Sequence, residues 1–205
     1  MASANEARSN SVKQLCDLYR VVIAIAVGIA FQSIIDTQTR PIPIKTEMLL
    51  TFFAFMLTII PFFHGAVRHL FATYVEDGGS TRIQNWAVLV DYYLLFIGGG
   101  LFVGLASTVG VTQSFLALFA LVLGLDCVWG LLASVGFAGS FSQKAEIRWA
   151  AINFVTVSVV LLVIIFVPIM LNQGLTDTHI QVLILIVATV RTAVDYALNH
   201  RFYCP

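Results

Sequence analysis

Charged residues are scarce in this sequence. Asp, Glu, Lys and Arg make up 11% of its 205 residues, whereas soluble proteins contain about 25%. The 11 basic and 11 acidic residues give a formal net charge of zero. A chain without an excess of basic residues lacks the electrostatic attraction on which nucleic-acid binding depends. We therefore expect no nucleic-acid partner.

Motifs that bind metals or cofactors are missing as well. The three cysteines, Cys16, Cys127 and Cys204, are far apart and show neither CxxC nor metal-ligand spacing, which argues against a disulfide framework and a zinc site. The histidines do not fall at matched depths of two apolar segments, as a haem would need. No glycine-rich nucleotide-binding loop occurs. We expect no metal and no cofactor.

Hydrophobic residues dominate instead. They make up 59% of the sequence and raise the mean hydropathy to +0.92. A membrane-spanning helix needs about 20 mainly apolar residues, and the chain contains six such runs joined by short links. These runs are 15–35, 48–75, 86–109, 114–136, 149–171 and 179–199. The pattern predicts an all-α, polytopic integral membrane protein with six transmembrane helices, for which the lipid bilayer is the first partner.

The positions of Lys and Arg predict the orientation of this bundle. Nine of the 11 lie near the side that would carry both termini, and only Arg40 and Lys45 fall on the opposite side. Because Lys and Arg concentrate in cytoplasmic loops, we expect a multi-pass protein of the inner membrane with both termini in the cytoplasm. Residues 1–12 are expected to form a short polar tail, and residues 13–205 a single transmembrane domain.

Charged and titratable side chains interrupt the apolar segments. A charge in hydrocarbon costs at least roughly 2.5–3.5 kcal/mol, so such residues persist where they find partners or water. Counting residues from the helix ends places most of them at similar depths, in the cytoplasmic half. We expect these residues to form one site for a substrate, an ion or a proton: His64, Arg68, Asp91, Asp126, Arg191 and Asp195.

Two pairings are expected within this set. His64 and Arg68, one turn apart on the second helix, should meet Asp91 of the third helix. Arg191 and Asp195, at i,i+4 spacing, should pair along the sixth helix. The alternative is a purely structural role, in which polar contacts hold helices together for about 0.6 kcal/mol each.

Asp126 is expected near the membrane midplane, with no basic residue at its depth on the fourth or fifth helix. The three aspartates of the set outnumber its two arginines by one, so the titratable groups must share a proton or leave a charge uncompensated. We expect Asp126 to be the neutral acid of the site and to act as a proton switch.

Proline, glycine and the aromatic residues predict how the helices are shaped and placed. Pro61 should kink the second helix, because proline has no N–H and frees a carbonyl. Small residues let helices approach closely, which is the expected role of Gly98, Gly99, Gly100 and Gly104. Aromatic residues near the cytoplasmic helix ends predict an interfacial belt, formed by Tyr19, Tyr74, Trp86, Trp149 and Tyr203.

These features favour a transporter or channel subunit for a small solute or ion, with proton coupling as an option. Six helices make a thin wall for a complete pathway, which favours a homo-oligomer. Two alternatives stay open. One is a non-enzymatic accessory or effector subunit that acts through a partner membrane protein. The other is a membrane enzyme that uses His64 with Asp91 as a base, although no motif assigns a catalytic residue.

Overall fold

The computed structural model describes residues 2–35, 48–76, 85–136 and 143–204, and this part of the chain is almost entirely helical. Six α-helices follow one another, and a short π-helical segment extends the second. Their bounds are α1 Ala2–Ile34, α2 Leu49–Phe71, the π segment Ala72–Glu76, α3 Asn85–Ser107, α4 Thr112–Gly136, α5 Gln143–Asn172 and α6 Asp177–Tyr203. All six helices contain a stretch that is long and apolar enough to cross a membrane. The prediction of an all-helical, multi-pass membrane protein is confirmed at this level.

Two helices begin well before the apolar runs predict, whereas the other helices begin within two residues of the predicted positions. Helix α1 begins at Ala2, within the expected polar tail, and α5 begins at Gln143, before the expected start at residue 149. Hydropathy marks the part of a helix that can lie in hydrocarbon, and a polar sequence can continue the same helix into water. Most of the links between the first and second, the second and third, and the fourth and fifth predicted helices, at 36–47, 77–84 and 137–142, lie outside the described residues.

Helix α2 is the centre of the bundle. It packs against α1, α3 and α6. The other main contacts join α1 to α3, α3 to α4, α4 to α5 and α5 to α6. Stacking of Tyr19 on Phe63, with ring centroids 5.8 Å apart, and the 4.9 Å contact of Phe31 with Phe52 show that α1 and α2 are antiparallel.

Helices α2 and α6 run in the same direction. The Thr192 hydroxyl donates a hydrogen bond to the Leu57 carbonyl. Ten residues further along α6, the Phe202 carbonyl accepts a hydrogen bond from Arg68. The start of α1 and the end of α6 therefore lie at one end of the bundle, which we call the terminal end. Its location in the cytoplasm remains a prediction from the Lys and Arg positions.

The core is divided between apolar and polar halves. Towards the other end of the bundle, the largest fully buried side chains include Phe55, Phe102, Phe115 and Phe119. Towards the terminal end, the buried side chains include a set of polar and charged groups: His69, Asp91, Glu146, Asn153, Arg191, Asp195 and Asn199. The predicted concentration of polar residues in one half of the bundle corresponds to this second group.

Pro61 lies inside α2 without interrupting it. Proline has no N–H, so the carbonyl of Leu57, four residues earlier, has no partner within the helix. The hydroxyl of Thr192 on α6 donates a hydrogen bond to this carbonyl over 2.7 Å. The carbonyl that Pro61 frees is therefore used to join α2 to α6.

Close helix packing requires glycine at two positions. A Cβ at Gly99 would lie 2.8 Å from Cγ1 of Val22 on α1, and a Cβ at Gly130 would lie 2.9 Å from the Glu146 carbonyl oxygen on α5. The other glycines predicted for packing have more room. A Cβ at Gly98 or Gly104 would make an ordinary contact, and one at Gly100 would meet nothing within 4 Å.

The contribution of the Thr192–Leu57 hydrogen bond to stability should depend on Pro61. Thr192→Val should lower the free energy of unfolding by about 0.6–1.7 kcal/mol, because the Leu57 carbonyl loses its partner. In a Pro61→Ala background the residue-61 N–H can bond this carbonyl, so the same change should cost less. The measurement is reversible unfolding in mixed micelles. An equal cost in both backgrounds would contradict the assigned role of Thr192.

Candidate functional site

A buried histidine of α2 lies between two buried carboxylates. Nε2 of His69 is 3.0 Å from Oδ2 of Asp91 on α3, and Nδ1 is 2.8 Å from Oε1 of Glu146 on α5. All three side chains are 1% exposed. The Nε2 contact is a hydrogen bond, and we describe the Nδ1 contact as an ion pair. We call these three residues the His69 triad.

Asp91 is the best-coordinated acid of the triad. Oδ2 also accepts a hydrogen bond from the Tyr74 hydroxyl at 2.7 Å, and Oδ1 accepts one from Nε1 of Trp129 at 2.7 Å. Tyr74 lies in the π segment, where the wider turn changes the direction of side chains relative to α2. The Trp129 ring also meets His69 edge-on, with centroids 5.6 Å apart. Four helical elements thus fix Asp91 and His69.

Glu146 reaches the triad from the first turn of α5. The close approach of α4 at Gly130 brings this turn inward, and the partial positive charge of a helix N-terminus favours a carboxylate there. Oε2 of Glu146 makes no hydrogen bond with any described residue. This acid is therefore held less tightly than Asp91.

The triad is suited to binding protons. A neutral imidazole has one N–H and one bare nitrogen, and the bare nitrogen would face a carboxylate lone pair. A doubly protonated His69 satisfies both contacts. Because His69, Asp91 and Glu146 can each gain or lose a proton, the charge of the triad is variable.

A second network joins α4, α5 and α6. The side-chain amide of Asn153 donates to Oδ2 of Asp126 and accepts from Nε of Arg191 at 3.1 Å. The Arg191 guanidinium also stacks over the Phe62 ring at 4.6 Å. Its Nη1 lies 3.7 Å from Oδ2 of Asp195 and makes no hydrogen bond with the described residues. Asn153 thus links Asp126 to Arg191.

Asp195 depends mainly on uncharged donors. Asn199 donates to Oδ1 and the Tyr203 hydroxyl to Oδ2, both at 2.9 Å. Nε1 of Trp149 in turn donates to the Tyr203 hydroxyl at 3.0 Å. The predicted pairing of Arg191 with Asp195 is present as an ion-pair contact, but the hydrogen bonds to Asp195 come from other side chains.

The predicted pairing of His64 with Asp91 is wrong. Nδ1 of His64 is 3.2 Å from the Tyr196 hydroxyl, and its ring packs 4.6 Å from the Tyr203 ring. His69 is the partner of Asp91. Five residues along a helix correspond to a rotation of roughly 140° between side chains, so His64 and His69 face different neighbours. A prediction from depth alone could not distinguish the two faces.

Arg68 also lies apart from the buried acids. Its Nε donates to the Phe202 carbonyl at 2.9 Å, and Nη1 pairs with Glu76, whose side chain is 52% exposed. Arg68 therefore connects α2 to the π segment and to the end of α6. This position removes one arginine from the expected charge balance within the bundle.

The charge balance is more negative than the sequence indicates. Four carboxylates lie in or beside the two networks, and they are Asp91, Asp126, Glu146 and Asp195. The described contacts supply one guanidinium, Arg191, and one imidazolium, His69. Subtracting these two positive charges from four negative ones leaves two negative charges. A bound cation or additional protons would compensate them.

Asp126 is not isolated, in contrast to the expectation for a midplane acid. It is partly buried and connects through Asn153 to Arg191. The expectation considered only basic residues on α4 and α5, whereas the arginine lies on α6. The neutral state expected for Asp126 remains a prediction.

Several residues of the two networks could not be predicted, because the sequence does not show in which direction a side chain points from its helix. The expected aromatic belt is wrong for Tyr19, which is buried against Phe63. It is also wrong for Tyr74, Trp149 and Tyr203, which point inward and donate hydrogen bonds within the networks. Trp86 is 38% exposed and fits the expectation. The signal available in the sequence was the presence of polar residues at a similar depth on neighbouring helices. Glu146 lies before the apolar run of α5, so this signal did not include it.

Comparison with protein-family models, with curated proteins and with solved structures finds no match for this chain. The function must therefore be inferred from the site itself. Among the described residues, no group of three or more His, Cys, Asp or Glu side chains is arranged to hold a metal ion. The two networks are the features on which a function can be based.

Trp129→Phe tests the coordination of Asp91. The change keeps an aromatic ring but removes the N–H that bonds Oδ1, and a buried acceptor without its partner costs about 1–3 kcal/mol. The matched control is Tyr93→Phe, which removes a polar group from an aromatic ring at a 67% exposed position, and there we expect a change within about 0.5 kcal/mol. Unfolding of both variants in the same detergent gives the comparison. Equal effects would show that the bond to Asp91 contributes nothing measurable.

Proposed function

We propose that the chain is a proton-coupled transporter or channel subunit for a small solute or ion. The His69 triad takes up and releases the protons. The observation that carries this proposal is the position of His69, with a carboxylate at each ring nitrogen and all three side chains buried. Three titratable groups in contact within membrane-spanning segments can share and exchange protons.

The neighbouring network supports the same function. Two negative charges remain after Arg191 and His69 are counted, so protons or a cationic solute are needed to complete the balance. Trp129 bonds to Asp91 and, together with Asp126, lines two small cavities. A change of charge at the triad therefore acts close to the deeper acid. Buried titratable groups within membrane spans are used in this way in proton-linked membrane proteins.

Position along the helices suggests how protons reach the triad. Glu146 lies in the first turn of α5, at the terminal end, and Asp126 lies deeper. In the proposed orientation, with both termini in the cytoplasm of an inner-membrane protein, the triad exchanges protons with the cytoplasm. Six helices form a thin wall, so we expect a homo-oligomer or a partner membrane protein to complete the pathway.

Two histidines of α2, His69 buried and His64 partly buried, provide a matched test. His69→Gln keeps a polar side chain but removes the titratable group between Asp91 and Glu146. His64→Gln changes a histidine on the same helix whose partners are Tyr196 and Tyr203. Purified variants are compared in vesicles that contain a pH-sensitive dye.

We expect proton flux in the wild type and in His64→Gln, and a loss of flux in His69→Gln to the level of protein-free vesicles. Thermal unfolding and size-exclusion profiles control for folding. If His69→Gln does not fold, Glu146→Gln, which keeps the shape of the acid, replaces it with the same expectation. Wild-type flux in a folded triad variant, or no flux in the wild type, would contradict the proposal.

A further inference from the structure

Tyr19 is a buried tyrosine that lies outside the two hydrogen-bond networks of the described residues. Tyr19 on α1 is 5% exposed, and its ring stacks on Phe63. Its hydroxyl makes no hydrogen bond with any residue in the described segments. A buried hydroxyl in that condition is costly, so a small molecule that bonds to it would be stabilising.

Tyr19 lines a small cavity together with Asp126. The cavity measures about 20 Å³, and most of its wall is apolar, including Leu95, Phe102 and Val122. A bound water needs about 10–15 Å³ measured in this way and at least two polar partners. The Tyr19 hydroxyl and the Asp126 carboxylate are two such partners. The volume is sufficient for one water molecule.

Asp126 has a similar space on its other side. A second cavity of about 20 Å³ is lined by Asp126, Arg191, Asp195 and Tyr203. The acid therefore lies between two water-sized cavities, one facing α1 and α3 and the other facing α6. The first cavity is the informative one, because the network of protein hydrogen bonds does not reach Tyr19.

We propose that one water molecule binds between Tyr19 and Asp126 and makes Tyr19 part of the proton-binding centre. When Asp126 is ionised, the water donates to the carboxylate and accepts from the Tyr19 hydroxyl. When Asp126 is protonated, the carboxylic acid donates to the water and the water donates to Tyr19. The hydrogen-bond direction reverses without movement of a helix. This inference rests on the proposed function, in which the buried acids change protonation.

Groups from the other packed helices also act on Asp126. They are Asn153 from α5, Arg191 and Asp195 from α6, and His69 from α2. Helix α3 contributes only apolar side chains and Gly98 to the cavity wall. Tyr19 is therefore the one polar contribution of α1 to this side of the acid among the described residues.

Two glycines of α3 provide a matched pair of variants. Gly98 lines the cavity, and a Cβ there meets Leu125 at 3.8 Å, an ordinary contact, so Gly98→Ala fills the space without a clash. Gly100 is outside the cavity wall, and a Cβ there meets nothing within 4 Å. Tyr19→Phe removes the hydroxyl and keeps the ring. All three substitutions preserve the helix.

The measurement is the infrared difference spectrum between two pH values on either side of the titration of the buried acids. It is recorded in ordinary water and in water labelled with the heavy oxygen isotope. The wild type and Gly100→Ala should show a water O–H band that shifts with the isotope, and Gly98→Ala and Tyr19→Phe should lack it. Absence of the band in the wild type, or its persistence in Gly98→Ala, would overturn the inference.

The spectrum separates this inference from the proposed function. If the wild type shows the isotope-sensitive band but no proton flux in vesicles, the water site is supported and the transport proposal is contradicted. If it shows flux but no such band, the transport proposal is supported and the water site is contradicted. A band that is lost in Gly98→Ala but kept in Tyr19→Phe would place the water on Asp126 alone and exclude Tyr19 from the centre.

Discussion

The structure depends on the cost of placing charge in a membrane. Each of Asp91, Glu146 and Asp195 is buried at the terminal half of the bundle, and an uncompensated carboxylate there would be strongly unfavourable. The protein meets this cost with neutral donors from Tyr, Trp and Asn side chains and with one arginine and one histidine. The described contacts supply fewer positive charges than negative ones. That difference is one of the observations from which we propose a function that involves protons.

The helix arrangement follows from the same requirement. A central α2 brings His69 within reach of α3 and α5, and the close approach at Gly130 brings the first turn of α5 inward. Pro61 leaves a carbonyl free, and Thr192 uses it to hold α6 beside α2. The π segment directs Tyr74 to Asp91. Features that would weaken an isolated helix therefore contribute contacts that hold the polar networks together.

The sequence predicts the helices and the depth of the polar residues, because both follow from counting apolar positions. It does not predict the direction in which each side chain points within the bundle. His64 and His69 lie at nearby depths, and only the rotation of α2 in the bundle decides that His69 contacts Asp91. Tyr74 and Tyr203 near helix ends have the pattern of interfacial aromatics, yet neighbouring carboxylates attract their hydroxyls inward. Glu146 lies beyond the apolar run of α5, so an analysis limited to apolar runs could not include it.

The central claim is that His69 is held as a donor between two carboxylates. Nitrogen NMR of the protein labelled in its four histidines tests it directly, with His69→Gln assigning the signal. At neutral pH the account predicts that both ring nitrogens of His69 carry protons and that Glu146→Gln changes the Nδ1 signal more than the Nε2 signal. A neutral His69 ring with one bare nitrogen, or a signal that is insensitive to Glu146→Gln, would contradict the account.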